Sequence, residues 1–407
     1  NIVFILADDL GWKDLSNEGS KYYESPHIDR IAKEGMKFTR GYAACQVCSP
    51  SRASIMTGKY PPNHGITTWI GDRAGEAWRG TRRHDTHLPP EYDRALRASE
   101  ITLAEALREQ GYKTFYAVKW HIGGKGSWPE DHGFDINKGG WDVGSPRGGF
   151  FSPWINPTLE SGSPGESLPI RLGNETAKFI EAHKDKPFLA YYPMNLPHNP
   201  FDPTPRSKNR KSKNGKQNFI DMVAYMDHCV GRIEDTLIEL GLRENTLMIF
   251  TADNGTNSSL TLDYFGMQRK GGKGYTHDHG TKVPLIVNLP GRIQAGQVNK
   301  DLICFSDLFP TIVEAADLPA KKITQGDGWS FWPQWLGKAG KKREWIYGYY
   351  FPRPYSQKFD MMYNHWEVAW ARNKRHKLYR DGRLFDIVID VREEKPLGEA
   401  AKLYTVR

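Results

Sequence analysis

The sequence predicts an α/β fold in which a large, mostly parallel sheet is sandwiched by helices and followed by a small C-terminal antiparallel sheet. Short apolar runs alternate with helix-like segments along most of the 407-residue chain, an order typical of parallel sheets covered by helices. After about Trp335 the sequence changes to short aromatic and charged pieces. We therefore expect a large domain over residues 1–338 and a C-terminal domain over residues 339–407.

Five apolar runs have the length and composition of buried strands. They are residues 1–6 (NIVFIL), 114–118 (TFYAV), 188–194 (FLAYYPM), 246–251 (TLMIFT) and 284–289 (PLIVNL). Helices are predicted between them at residues 102–111, about 221–240 and 307–319. Thr102 and Glu105 form a capping box for the first of these helices, and Gly111 ends it.

The C-terminal domain is expected to consist of short strands. The pattern places them at residues 344–351, 365–372, 375–382 and 383–390. The dipeptide Asp381-Gly382 lies between the last two and favours a hairpin turn. Strands joined by such a turn run in opposite directions, so this domain is predicted to be antiparallel.

The composition is ordinary for a globular protein and predicts no membrane span. Hydrophobic residues make up 38% of the chain, and no apolar run approaches the roughly 20 residues that cross a bilayer. The net charge of +8 favours acidic partners, but the basic run at residues 205–216 is rich in Ser, Asn and Gly. That composition indicates a solvated loop and no nucleic-acid surface. The chain opens at Asn1 inside an apolar run, so we expect a removed leader and a secreted or periplasmic protein.

Polar side chains follow four of the predicted strands, at the point where each strand ends. They are Asp8 and Asp9, Lys119 and His121, Asn195 and His198, and Asp253 and Asn254. Ligands of open parallel sheets lie beyond the carboxyl ends of the strands, so we expect these side chains to meet there. Three carboxylates and an amide suit Ca²⁺ or Mg²⁺, whereas zinc prefers nitrogen or sulfur. A helix cap and a turn would explain each acidic pair alone, but both pairs at strand ends favour a metal site.

Cys48 raises a separate question, because Cys45 precedes it by three residues. This spacing suggests a redox pair or half of a zinc site, but the other cysteines, Cys229 and Cys304, are isolated and far away. The segment SRASIMTG that follows has the pattern of a helix. Cys48 would then lie at a helix N-terminus, where backbone N–H groups favour an anion, with Arg52 about one turn away.

Residues 48–58, CSPSRASIMTG, resemble the signature C-x-P-S-R-x-x-x-x-T-G of the type I, formylglycine-dependent sulfatases of the alkaline-phosphatase superfamily. Six further segments resemble this family in its own order: ILADDLGW (5–12), SPHIDRIAKEG (25–35), VKWHIG (118–123), PHNPF (197–201), FTADNG (250–255) and GGKG (271–274). The resemblance implies an alkaline-phosphatase-like fold and an arylsulfatase-like enzyme, similar to bacterial carbohydrate sulfatases.

The resemblance also implies a covalent modification. In this family a separate maturation enzyme oxidises the first cysteine of the signature to Cα-formylglycine, which here is Cys48 and leaves Cys45 incidental. A hydrated aldehyde offers two hydroxyls. One attacks sulfur and expels the alcohol, and the other then loses its proton, so that the C=O bond reforms and sulfate leaves.

Calcium is the metal that the resemblance implies. Its ligands would be Asp8, Asp9, Asp253, Asn254 and the modified Cys48. The cation would polarise the S–O bonds of a bound sulfate ester and lower the pKa of the aldehyde hydrate.

Five further residues take roles in catalysis by the same resemblance. Arg52 and Lys119 would hold the aldehyde hydrate, and His121 would take the proton in the elimination step. His198 and Lys273 would bind the sulfate together with Lys119, and His198 would donate a proton to the leaving oxygen. Such a cage of cations suits a transition state that spreads negative charge over sulfuryl oxygens.

Some positions depart from the family pattern. Val118 stands where glycine is common, Asp278-His279 where Glu-Gly is common, and Lys282 where arginine is common. None of these changes removes a group with an assigned role.

The segment over residues 69–89 bears on the substrate. It contains Trp69, Arg73, Trp78, Arg79, Arg82, Arg83, His84 and His87. Aromatic rings beside arginines suit a sulfated polysaccharide, although a basic surface loop has the same composition. We expect Arg73, Arg83 and His365 to contact the substrate.

The expected substrate is a sulfated carbohydrate with a galactose-type sugar, cleaved from a chain end. The choice of sugar follows the similarity to bacterial glycan-degrading sulfatases, and residues near the pocket mouth favour a closed, exo-acting site. The alternatives are a phosphodiesterase or phosphonate monoester hydrolase of the same superfamily, and a carbohydrate-binding protein with an inactive site.

Overall fold

An eight-stranded sheet lies at the centre of the fold in the computed structural model, which describes residues 1–82, 88–264, 267–319, 326–351 and 368–398. In spatial order its strands are β11 (Gln297–Asn299), β2 (Met36–Phe38), β10 (Leu285–Asn288), β7 (Leu247–Ala252), β1 (Ile2–Ala7), β6 (Phe188–Pro193), β4 (Lys113–Ala117) and β5 (Ile136–Lys138). Strand β10 is antiparallel to β7 and β2, and the other neighbours are parallel. The mostly parallel sheet is confirmed.

The five strands predicted from apolar runs are confirmed to within one residue at each end. Every residue of β1, β6 and β7 is buried, as expected for strands that are covered on both faces. Aromatic rings link neighbouring strands. Phe4 stacks on Tyr191 with ring centroids 4.8 Å apart, and Tyr191 stacks on Tyr116 at 5.5 Å.

Helices form two groups that flank this sheet. They are α1 (Pro26–Lys33), α2 (Cys48–Thr57), α3 (Pro61–His64), α4 (Leu103–Arg108), α5 (Leu168–Ala182), α6 (Gly215–Glu239), α7 (Asp278–Thr281), α8 (Leu308–Ala315) and α9 (Trp332–Trp335). Helices α1 and α5 pack against α6, whereas α2, α4 and α8 pack against one another. Short 3₁₀ helices lie at Ser16–Glu18, Gly75–Thr81, Pro129–His132, Arg243–Asn245 and Phe305–Asp307.

The helix ends follow local hydrogen bonding. The predicted capping box of α4 is confirmed, because Glu105 N donates to Thr102 Oγ1 at 3.2 Å and Thr102 N donates to Glu105 Oε2 at 2.8 Å. Helix α6 begins about two turns earlier than predicted. Its first turn is capped by the Asn214 side chain, which accepts from Gln217 N at 3.2 Å.

The C-terminal sheet is antiparallel, as predicted. Its strands are β13 (Ile346–Tyr350), β14 (Val368–Arg372), β15 (His376–Tyr379) and β16 (Leu384–Asp386), paired in chain order. The predicted turn between β15 and β16 is confirmed, with Gly382 at φ 90°. Two small sheets pair β3 (Gly41–Tyr42) with β12 (Ile303–Cys304), and β8 (Thr261–Tyr264) with β9 (Met267–Lys270).

The domain boundary after residue 338 stays a prediction. Within the ranges that the structure describes, no helix combines the length and the apolar character needed to cross a membrane.

Left-handed backbone conformations occur where strands end in polar side chains. Asp9, Val118 and His121 have φ values of 65°, 96° and 58°. Val118 is the least expected of these, because a β-branched residue rarely adopts positive φ. It is nevertheless 4% exposed, and its N–H donates to Lys138 O at 2.9 Å. The glycine that the family often has at this position would adopt the same backbone without strain.

Replacing Val118 by glycine and by alanine separates backbone strain from packing. Both variants lose the buried side chain, but only glycine accepts φ 96° freely. We expect the free energy of unfolding of Val118→Gly to exceed that of Val118→Ala by about 1 kcal/mol, so that Val118→Gly unfolds at a higher denaturant concentration. At an ordinary strand or helix position glycine is the less stable of the two by roughly 0.5–1 kcal/mol. That ordinary order, measured by chemical denaturation, would show that position 118 carries no strain.

Candidate active site

A buried cluster of acids and cations lies at the carboxyl end of the central sheet. Strand β1 leads into Asp8 and Asp9, and neighbouring strand β7 leads into Asp253. All three carboxylates are fully buried. Each pairs with a cation: Lys119 Nζ with Asp8 Oδ2 at 2.8 Å, Lys273 Nζ with Asp9 Oδ1 at 2.6 Å, and Arg52 NH2 with Asp253 Oδ2 at 2.8 Å.

The pairs differ in how well the charges compensate. Burial raises the pKa of the Asp8 carboxyl well above its ordinary value, even though Lys119 opposes the change. Burial is again the largest single effect at Asp9, but there the surrounding cations, chiefly Lys273, together outweigh it and lower the pKa. The Asp9 carboxylate in turn raises the pKa of Lys273 against the effect of burial. Asp8 is therefore the carboxylate in most need of further positive charge.

The oxygen atoms of the cluster fit a hard divalent cation. Asp8 Oδ1 and Asn254 Oδ1 are buried and accept no hydrogen bond from a residue that the structure describes. Ligand atoms of Asp8, Asp9 and His198 lie within 4.8 Å of one another. Asn254 Nδ2 donates to Asp9 Oδ1 at 2.8 Å, and Asp9 N lies 3.2 Å from Asp253 Oδ1. A set rich in carboxylate and amide oxygens suits Ca²⁺ or Mg²⁺.

Cys48 begins helix α2, as the sequence predicted, and faces His121. Its Sγ lies 3.3 Å from His121 Nδ1, and His121 Nε2 lies 2.8 Å from Ile70 O. A carbonyl oxygen only accepts, so His121 carries its proton on Nε2 and turns a lone pair toward Cys48. Burial, together with the nearby Lys119, lowers the pKa of His121 well below its ordinary value. A neutral imidazole at this position can accept a proton from residue 48.

His198 also lies at the cluster, at the end of the loop that follows β6. Its Nδ1 donates to Asn199 O at 2.6 Å, and its Nε2 is 3.7 Å from Asp9 Oδ2. Burial lowers its pKa to about 3, although Asp9 favours the charged form. To donate a proton from Nε2, His198 would therefore have to take up a proton from water once an incoming anion beside it favours the charged imidazolium.

Several contacts of the cluster carry no signal in the sequence. Ile70 acts through its backbone carbonyl, and Tyr116 OH donates to Lys119 O at 2.5 Å. Arg52 NH1 donates to the same carbonyl at 2.8 Å. Asn257 Nδ2 donates to Asp9 Oδ2 at 3.0 Å. Of these contacts, only that of Asn257 could have been suspected, because it lies three residues beyond Asn254.

Lys273 is held from outside by the C-terminal sheet. The segment from 271 to 282 contacts that sheet through Arg372 NH1, 2.5 Å from Asp278 Oδ1, and Lys377 Nζ, 2.5 Å from Thr276 O. Tyr379 OH lies 2.6 Å from Thr276 Oγ1. Asp278, one of the departures from the family pattern, is thus the anion that receives Arg372.

Lys282, another departure, also has a defined partner. Its Nζ lies 3.7 Å from the ring centroid of Trp12, in the segment that follows Asp8 and Asp9.

The aromatic and basic residues over 69–89 that were expected to contact the sugar are mostly buried, paired with other residues or outside the described ranges. Trp78 is 3% exposed and so does not offer its ring to a ligand. Arg79 pairs with Glu76 at 2.7 Å, and Arg73 is exposed. Trp69 is half-buried and packs against a small apolar cluster that contains Cys45. Arg83, His84, His87 and His365 lie outside the described residues.

The sheet and its buried cluster define an α/β protein with a buried site of acidic and basic side chains that is suited to a divalent cation. The profile of the Sulfatase family matches residues 1–318, and that of the family described as N-sulphoglucosamine sulphohydrolase, C-terminal, matches residues 269–405. The chain belongs to the sulfatase family.

Curated relatives agree with this assignment. The chain is 32% identical over 365 residues to N-acetylgalactosamine-6-sulfatase of Canis lupus familiaris, covering 83% of this chain and 66% of the relative. It is 30% identical over 385 residues to arylsulfatase A of Homo sapiens, covering 86% and 70%. The chain therefore spans about two thirds of the length of such relatives.

Solved structures share the fold. Ps i-CgsB superposes with a TM-score of 0.78 and 25% identity over 99% of this chain and 89% of its own, and it has also been solved in complex with k-i-k-neocarrahexaose. A protein solved with its substrate D-glucosamine-2-N,6-O-disulfate gives a TM-score of 0.75 at 20% identity, covering 98% and 94%, which shows the fold alone. The predicted alkaline-phosphatase-like fold is confirmed.

Replacing Arg372 by alanine should loosen the segment that carries Lys273. The change removes the cation that binds Asp278 and Tyr42, so we expect amide hydrogen exchange over residues 271–277 to accelerate roughly tenfold. Arg375→Ala is the matched control, because Arg375 pairs with Asp386 in the same sheet and is largely exposed. Equal exchange in both variants, measured by mass spectrometry, would show that Arg372 does not hold the segment.

Proposed function

We propose that this protein is a sulfuric ester hydrolase that removes sulfate from a sulfated carbohydrate, with formylglycine at position 48 and a bound Ca²⁺. The observation that carries the proposal is the position of Cys48. It lies at the start of α2, 3.3 Å from a neutral His121 and beside three buried acid–cation pairs. The family of the chain supports the same activity.

The charges of the cluster favour a sulfate ester. Three carboxylates and three cations cancel one another. Asp8, Asp9, Asp253, Asn254 and residue 48 would hold Ca²⁺, which polarises S–O bonds and leaves the pocket with a net positive charge. A sulfate monoester would be attracted to that charge from water.

Two of the proton movements have a group in place. Hydrated formylglycine would supply one hydroxyl that attacks sulfur and expels the alcohol, and a second whose proton loss reforms the C=O bond and releases sulfate. His121 Nδ1 faces residue 48 with a free lone pair and accepts that second proton. Arg52 and Lys119 hold the hydroxyls at position 48. Lys273 and His198 contact the sulfate, and His198, protonated beside the anion, donates to the leaving oxygen.

The substrate class rests on weaker support. N-acetylgalactosamine-6-sulfatase by its name acts on a sulfated sugar, and Ps i-CgsB binds a neocarrahexaose. We propose a galactose-type sugar removed in exo fashion. Partners would be the sulfated saccharide and a formylglycine-generating maturation enzyme, in a secreted or periplasmic location. Rates on matched sulfate and phosphate esters separate this activity from phosphoester or phosphonate hydrolysis.

Active protein should carry an aldehyde at position 48 and a thiol at position 45. Peptide mass spectrometry of the tryptic fragment 41–52 should show oxygen in place of sulfur and the loss of two hydrogens, at residue 48 only. Burial raises the pKa of Cys45 to about 12, so its thiol stays protonated and inert. We expect Cys48→Ala to lose activity by at least about 1000-fold and Cys45→Ala to keep most of it. Full activity from protein that has only a thiol at position 48 would refute the mechanism.

Calcium should bind to the carboxylate cluster. Asp253→Asn removes one ligand charge, and we expect Ca²⁺ affinity measured by calorimetry to fall by more than about 100-fold, with turnover lost. Asp185→Asn is the control. Asp185 is exposed and precedes the start of β6, so it lies at the amino end of the parallel strands, away from the cluster at their carboxyl end. Activity that survives complete chelation of divalent ions would contradict the assignment, and a preference for Mg²⁺ would correct it.

A further inference from the structure

The segment between β5 and α5 contacts the catalytic pocket, although nothing in its sequence matches the family motifs. Its backbone touches His121, because Trp141 O accepts a hydrogen bond from His121 N at 3.1 Å. A Cβ atom built on Gly144 would lie 2.6 Å from Cε1 of the His121 ring. Residues 141–147 therefore form a wall of the pocket on the side of the proposed base.

Two charged side chains of this wall lack a hydrogen-bond or ion-pair partner among the described residues. The half-buried Asp142 carboxylate and the exposed Arg147 guanidinium make no hydrogen bond or ion pair with any residue in the described ranges. The guanidinium of Arg147 lies 5.3 Å from the ring centroid of Trp141. An aromatic ring beside a free carboxylate and a free guanidinium offers a flat apolar surface, hydrogen-bond acceptors and charged donors.

A narrow cavity lies between the wall and Lys119, one of the residues assigned to the sulfate. It has a volume of about 20 Å³ and is lined in part by Lys119, Trp141, Arg147, Trp154 and Asn195. Trp154 is 5% exposed, and its Nε1 has no partner among the described residues. The cavity has room for about one water or hydroxyl, so a sugar ring would lie at its mouth.

We propose that Trp141, Asp142, Arg147 and Asn195 form a saccharide subsite that recognises a sugar bearing a second acidic group, such as another sulfate. Trp141 packs against the apolar face of the ring, and Asp142 and Asn195 bind hydroxyls. Arg147 binds the second anionic group, for which planar paired donors are well suited. The proposal rests on the proposed sulfatase activity and names the sugar-facing residues of the same pocket.

The test measures binding and turnover separately. Binding of sulfated oligosaccharides from carrageenan, chondroitin sulfate and heparin is measured by calorimetry on Cys48→Ala protein, which does not turn over. The ligand bound most tightly is then compared in the Arg147→Ala and Asp142→Asn backgrounds. We expect each change to weaken binding of the multiply sulfated ligand by roughly tenfold or more, and binding of inorganic sulfate much less.

Turnover by matured protein gives the second measurement. For Arg147→Ala we expect the loss of kcat/KM on the oligosaccharide to exceed the loss on 4-nitrophenyl sulfate by roughly tenfold. Arg292→Ala is the matched control. Arg292 lies 5.1 Å over the Trp332 ring, in the same type of stacked pair. It follows β10, which is antiparallel to β7, so it lies at the end of the sheet opposite the catalytic pocket. This variant should behave like the unmodified sequence on both substrates.

The outcomes separate the two proposals. Equal losses of Arg147→Ala on both substrates, or no loss on either, would overturn the subsite, as would failure of all three oligosaccharides to bind. Failure of matured protein to hydrolyse any sulfate ester would overturn the proposed activity, whereas oligosaccharide binding that depends on Arg147 would still stand.

Discussion

Compensation of buried charge at the carboxyl end of the central sheet is the constraint on which the rest of the structure depends. Burying an ion costs several kcal/mol unless a partner is held in good geometry. Here the charged groups come from five separate parts of the chain: the ends of β1, β4 and β7, helix α2 and the loop after β9. Because each carboxylate needs its cation, the network fixes how these parts lie relative to one another. The C-terminal sheet extends the constraint, since Arg372 and Lys377 hold the segment that carries Lys273.

The backbone at the strand ends shows how the side chains are brought together. Strand β1 is buried throughout and β4 is buried except at Lys113, so the polar side chains that follow them reach the pocket where the chain turns sharply. Asp9, Val118 and His121 make those turns in left-handed conformations, each costing of order 1–3 kcal/mol for a residue other than glycine. Sheet pairing and the ion pairs hold them there. Stored strain of this kind is expected where function, and not stability, selects the geometry.

Much of the fold and of the catalytic cluster could be predicted from the sequence, because both depend on side-chain type at regular positions. Apolar runs followed directly by acidic residues predicted the strands and the place where Asp8 and Asp253 meet. Contacts made by backbone carbonyls could not be predicted, as with Ile70 on His121. The sugar-facing assignment failed at Trp78 for a different reason, since a tryptophan beside arginines gives no sign of its burial. Arg147 became a candidate only when it was seen to line a cavity next to Lys119, and Asp142 only when its neighbour Trp141 was seen to contact His121.

Stability alone does not explain why the cluster is charged. Replacing a buried ion pair by well-packed apolar residues is often neutral or stabilising by roughly 1–4 kcal/mol, so three such pairs in one place are poor evidence of a structural role. Asp8 Oδ1 accepts no hydrogen bond from a described residue, although it lies 3.7 Å from Arg52 NH2, and it lies on the same pocket as the neutral His121. A purely structural network would satisfy that oxygen and would have no need of a histidine whose lone pair faces Cys48. Both features are useful only if a cation and a reacting group at position 48 complete the site, which is the arrangement that sulfate ester hydrolysis requires.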